Sequence, residues 1–184
     1  MDKAGRHARR FQEWTSELPN DVQATFDLMT NEAVASTGRR FLAAGLSYCL
    51  TQLDLIPDHE KAGAVDDAFV LRVAYGLAAE HAAKAGTRES SLIARMTNEE
   101  DEIRQFIGDA LFAKLRRYVV ELADKEVRGR TTDHILSDAK ARADLKRELE
   151  QSMKKVRPPI ATSDEEAEQI EVAVKSYLKM KLGG

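Results

Sequence analysis

Apolar residues recur at spacings of three and four along most of the chain, and no stretch alternates with the period of a strand. Phe11, Trp14 and Leu18 mark one face of a helix over residues 1 to 18, which Pro19-Asn20 is expected to break. Asn20 then caps a short helix carrying Val22, Phe26 and Met29. The mostly apolar run Phe41 to Leu50 predicts a helix that stops by about Ile56, because Pro57 lacks an N–H and disfavours helix at the residue before it. Asp66-Asp67 opens a second apolar helix with Phe69, Val70, Val73, Ala74, Leu77 and Ala78, running to Lys84 and stopped by Gly86. A short helix is expected from Thr87–Ser90 through Ile93 and Met96. Thr97 or Asn98 caps the longest stripe, from Ile103 through Leu115 to Leu122, with Glu99, Glu100, Asp101 and Glu102 placed to suit the dipole of its first turn. Gly129 ends it. Thr131-Thr132-Asp133 caps a helix over His134 to Lys155, and Ser163-x-x-Glu166 is a capping box for a last helix carrying Ala167, Ile170, Val174, Tyr177 and Leu178. Gly183 stops that helix. The pattern predicts an all-α, single-domain bundle of six to eight helices. Residues 1–157 form the helical domain, and 158–184 are a Pro158-Pro159 linker and a C-terminal helix that is docked or faces a partner.

The bundle is organised around Asp54-Leu55-Ile56-Pro57-Asp58, followed by Gly63 and Asp66-Asp67. One reading is a helix hairpin whose turn is built by Asp and Pro, with an Asp capping the second helix. The other is a divalent-cation site made by Asp54, Asp58, Asp66 and Asp67, since clustered carboxylates repel and a hard cation with oxygen ligands relieves the repulsion. The turn and cap role takes precedence, because Asp is also the preferred residue for it.

An apolar helix, Asp-Leu-Ile-Pro-Asp, a short loop with Gly63, Asp66-Asp67 and another apolar helix together resemble the signature of the YkvA-like family, a bacterial helical domain of unknown function. The resemblance covers residues 41–78. It implies a helical fold and no particular reaction, and it suggests association with a membrane surface. Where the family usually has an apolar, proline-containing loop, this chain has His59-Glu60-Lys61-Ala62, a polar departure that argues against a loop dipping into a membrane.

Composition narrows the picture further. Hydrophobic residues make up 43% and charged residues 32% of 184, which suits a folded chain rather than a disordered one. The net charge of −3 gives no reason to expect a nucleic-acid partner. Lys140 to Arg157 is locally basic, with seven basic residues against three acidic, but carries no interleaved aromatics for base stacking. Cys49, the single cysteine, is read as a small buried hydrophobe, and a lone cysteine fits a reducing cytoplasm. No apolar leader and no transmembrane helix is expected. No Glu-x-x-His, Cys-x-x-Cys, Gly-x-Ser-x-Gly or phosphate-binding glycine loop occurs, so no resident cofactor is expected apart from the divalent cation considered above. His7, His59, His81 and His134 are scattered, and only His59 lies by the motif. The sequence reading is a non-enzymatic cytoplasmic interaction or scaffold protein with a protein partner or a second copy. The alternatives are a cation-binding protein or metal-dependent enzyme using the Asp cluster, and a peripheral membrane protein.

Overall fold

The computed structural model describes residues 5–51, 54–84 and 91–183. The bundle is all-α, with eight helices among the described residues: α1 Arg6–Thr30, α2 Ser36–Tyr48, α3 Val65–Lys84, α4 Ser91–Ile107, α5 Asp109–Leu122, α6 Thr132–Ser137, α7 Ala139–Met153 and α8 Asp164–Leu182. No helix among them is long and apolar enough to cross a membrane. The stop assigned to Gly86 and the segment Thr87–Ser90 lie outside the described residues, as do Gln52 and Leu53.

α3 is the axis of the fold. It packs most extensively on α2, and α4, α1 and α5 surround it. Its residues from Ala68 to Ala78 are buried without a break. A helix apolar on all sides is stable only when other elements cover all of them. Gly45 of α2 allows the closest approach: a Cβ there would meet the Ala74 Cβ at 3.0 Å. Phe11, Trp14, Phe69 and Phe106 make an aromatic cluster joining α1, α3 and α4, with Phe11 and Phe106 centroids 4.9 Å apart and edge to face. Such pairs add about 0.5–1.5 kcal/mol beyond the area they bury.

Several helix boundaries differ from the sequence expectation. α1 runs unbroken through Pro19. Proline removes only one intrahelical bond, and the buried stripe Ala8, Phe11, Trp14, Leu18, Val22, Thr25 and Met29 holds both halves on one axis. α2 ends at Tyr48, well before Pro57. Leu50 and Thr51 turn back onto Ser47 and Tyr48 carbonyls at 3.1 and 2.8 Å, so the chain leaves the helix where its last side chain is needed by the hairpin. α4 passes through Thr97 and Asn98 and breaks instead at Gly108, whose φ of 85° lies in the region that side chains disfavour. Glu99 to Glu102 therefore sit in the middle of α4. The expected helix from His134 to Lys155 is two helices, α6 capped by Thr131 and α7 capped by Asp138, whose side chain accepts from the Ala141 N–H at 2.6 Å.

α8 packs against α1 and α5 with Ala167, Ile170, Val174 and Leu178 in the core. Ser163 Oγ accepts from the Glu166 N–H at 3.2 Å, while the Glu166 carboxylate reaches the Thr162 N–H at 2.7 Å, one residue earlier than a capping box requires. Glu171 accepts from the His7 and Ala8 N–H groups, both at 3.0 Å, and so satisfies the first turn of α1 from another helix.

Candidate functional site

The motif splits into a part that closes the hairpin and a part that lines a cleft. Asp66, in the first turn of α3 rather than at its N-cap, is 1% exposed. Its Oδ2 accepts from the Tyr48 hydroxyl at 2.6 Å and from the Ile56 N–H at 2.9 Å. The Tyr48 oxygen in turn accepts from the Leu55 N–H at 2.7 Å. Two backbone donors of the Leu-Ile-Pro segment are thus satisfied inside the fold, as buried peptide groups must be. Asp66 Oδ1 has no hydrogen-bond partner among the described residues. Burial pushes the Asp66 carboxyl up to about 7, against the two hydrogen bonds that favour its charged form.

Asp54, Asp58 and Asp67 line a cleft of about 820 Å³ whose other charged lining is mostly basic: Lys61, Arg128, Lys155 and Arg157. Asp67 is held well above the usual carboxylate range by burial and by the charges of Asp66, Asp54 and Asp58, with the Cys49 thiol pulling the other way. Asp54 is pushed up to about 6 by burial and by Asp58. Cys49 is buried, and burial with the neighbouring carboxylates raises its thiol, which favours the neutral form. His59 stands at the cleft with its side chain 82% exposed, 3.7 Å from Glu60. Among the described residues, no three His, Cys, Asp or Glu side chains converge as the donor set of a metal ion. Glu60 is tied to α8 by the Tyr177 hydroxyl at 2.7 Å, and Lys61 by Glu166 at 3.4 Å, so the last helix clamps the motif loop.

These shifts carry a sign. Asp66 and Asp54 bind their protons more tightly folded than unfolded, where they return to about 3.8. Stability from this source is fully present below the unfolded value and is lost as pH rises through the folded values of about 6 and about 7. The melting temperature is therefore expected to fall as pH is raised from about 5 to about 8. Asp66→Asn keeps the acceptor oxygen, removes the titration and should flatten that slope. An unchanged slope in the variant would show that Asp66 does not titrate there.

Two buried charge clusters were missed by reading Glu99 to Glu102 as helix-start residues. Arg72, 0% exposed, places Nε 2.8 Å from Glu99 and Nη2 3.3 Å from Asp21, and donates from Nη1 to the Ala68 carbonyl at 3.2 Å. Arg95 joins from the surface through Asp21 and Glu99. The guanidinium groups of Arg10 and Arg72 both lie over the Trp14 ring, at 5.1 and 4.8 Å from its centroid. Nearby, Glu100 meets Arg116 at 2.9 Å, and Arg116 also meets Glu80 at 2.7 Å. Burial pushes Glu100 up to about 7, which Arg116 opposes. The signal was present: Arg72 interrupts the apolar run Phe69-Val70-Leu71-Arg72-Val73, and a charge there needs a buried carboxylate.

A second concavity of about 470 Å³ lies between α1 and α7. Pro19, Val22, Phe26, Leu149 and Met153 line it, rimmed by Gln23, Lys146, Glu150 and Lys154. Its volume and apolar lining fall within the range of ligand and anchor pockets. No family model, no curated protein and no solved structure matches the chain.

Proposed function

We propose that this chain is a non-enzymatic interaction protein and that the α1–α7 groove is its working surface. The observation that supports this reading is an apolar groove with a charged rim on a molecule whose buried charges are committed to one another. Asp66 and Tyr48, the most distinctive polar pair of the motif, serve the hairpin rather than a substrate. The test is affinity capture by wild type and by Phe26→Glu, with a thermal melt to show that the variant is folded. A partner held by wild type and lost by the folded variant supports the groove. A partner held equally by both removes it.

A second reading rests on Asp54, Asp58 and Asp67. They share one cleft, and burial, together with the charges of Asp66, Asp54 and Asp58, holds the Asp67 carboxyl high. A hydrated divalent cation held by one or two carboxylates, the manner of Mg²⁺, relieves such repulsion without a converging set of three protein ligands. After chelation, Mg²⁺, Ca²⁺ or Mn²⁺ at ~100 times its Kd is expected to add about 2.7 kcal/mol to wild type and none to Asp67→Asn. Identical melts with and without the ions would rule this reading out.

A further inference from the structure

The chain between α7 and α8, residues 154–163, is one wall of the cleft that holds Asp54, Asp58 and Asp67; Lys155, Val156, Arg157, Pro158 and Ile160 line it there. The motif loop, through His59, Glu60 and Lys61, lines the cleft as well. We infer that residues 154–163 are a movable strap that gates this cleft, and that α8 is the clasp that holds the strap and the motif loop together. The inference rests on the second reading above for what the gate admits. The backbone is the first argument. Lys155 and Val156 still bond back to the Ser152 and Met153 carbonyls at 2.9 and 3.3 Å. Beyond them, no backbone hydrogen bond among the described residues joins 157–161 to the bundle, and Pro158 and Pro159 have no N–H to offer. The segment is seated by side chains alone: Pro159 is buried, Val156 and Ala161 pack partly on the core, and Ile160 is left 57% exposed at the cleft. A segment without ladder or helix bonds opens at low free energy while the core stays closed.

The clasp is the second argument. Glu166, in the first turn of α8, accepts from the Thr162 N–H and hydroxyl, both at 2.7 Å, and so fixes the far end of the strap. The same carboxylate oxygen meets Lys61 of the motif loop at 3.4 Å, and Tyr177 donates to Glu60 at 2.7 Å. The two walls therefore touch a common helix, whose own stripe of Ala167, Ile170, Val174 and Leu178 stays in the core. Across the cleft the strap is free. Among the described residues, no ion pair joins Lys155 or Arg157 to Asp54, Asp58 or Asp67, and Arg157 spends its Nη1 on the Lys154 and Val156 carbonyls of the strap itself. Parting the walls thus breaks no charge pair across the cleft; it breaks the ties at Lys61 and Tyr177.

Cys49 supplies the test, because the chain's only cysteine lines this cleft and is 6% exposed. Alkylation of the full chain by N-ethylmaleimide is followed at a series of urea concentrations below the unfolding transition. Opening of the strap exposes little surface, so the wild-type rate is expected to change little with urea, whereas global unfolding carries the full urea slope. Lys61→Ala with Tyr177→Phe removes both ties and leaves the core stripe of α8 intact; it is expected to raise the rate by about threefold or more. Pro158→Gly with Pro159→Gly loosens the strap itself and should also raise it, with the shallow slope retained. A wild-type rate that carries the full slope throughout, or rates unchanged in both variants, overturns the strap. Mg²⁺ added after chelation separates the two readings. Slower alkylation with Mg²⁺ in wild type but not in Asp67→Asn supports the cation in the cleft. No effect of Mg²⁺ while both variants react faster overturns the cation and leaves the strap standing. An effect of Mg²⁺ with unchanged variants does the reverse.

Discussion

Replacing Arg72 with alanine is expected to destabilise the protein by about 3–5 kcal/mol, the cost of removing one partner from a buried ion pair. The reason is not that the cluster is a large net stabiliser. Burial opposes the charge on Arg72, and attraction to Glu99 and Asp21 works against that cost without cancelling it. Alanine removes the offset and leaves two carboxylates, Asp21 at 3% and Glu99 at 8% exposure, with Arg95 and Arg10 as their remaining ion-pair partners among the described residues. It also removes the guanidinium over Trp14 and a side-chain hydrogen bond to the Ala68 carbonyl. For a chain of this size each kcal/mol moves the melting temperature by about 2–4 °C, so a drop of roughly 6–20 °C is expected by differential scanning calorimetry. Asp21→Ala combined with Arg72→Ala should cost less than the two single changes added together, because the pair acts as a unit. Additive losses would show that the two groups are independent.

Gly63→Ala is expected to cost about 3 kcal/mol, at the upper end of what overpacking does. A Cβ on residue 63 would stand 2.8 Å from the Asp58 Cα, the Asp58 carbonyl oxygen and the Pro57 carbonyl oxygen. All three are backbone atoms of the same loop, so no side chain can swing aside. Room for the methyl comes only from moving Pro57 and Asp58, which carry the turn. Gly129→Ala is the control. Its φ is 76°, yet nothing lies within 4 Å of the added atom, so it should cost only the ~1–2 kcal/mol of a left-handed backbone. If the two substitutions lowered the melting temperature equally, crowding at Gly63 would not be what selects glycine in the motif.

The helices were legible because their apolar stripes are local. The burial of Trp14 beside Phe11 and Leu18, the close packing at Gly45 and the stop at Gly183 all follow from spacing and residue size. The boundaries were less legible, because tertiary packing overrides local punctuation. Pro19 looks like a break but is carried through by a stripe that reaches from Ala8 to Met29. Gly108 looks ordinary but ends α4. The acidic motif was visible as a cluster, and its division of labour was not. Only the position of Tyr48 at the end of α2 separates Asp66, which bonds the hairpin, from Asp54, Asp58 and Asp67, which line the cleft. Glu99 and Glu100 misled for a similar reason: their partners Arg72 and Arg116 are distant in sequence.

The placement of Trp14 has a practical consequence. As the sole tryptophan, it dominates the emission of the whole chain. Two guanidinium groups lie over its ring, and its indole N–H is buried with no acceptor among the described residues. Its fluorescence therefore reports the seam of α1, α3 and α4 and is blind to α6 and α7. Circular dichroism averages over every helix. Recorded together during denaturation, the two signals act as a built-in ruler of cooperativity. Coincident transitions mark one unit, and an earlier change in emission marks the charged seam as the place where the bundle first opens.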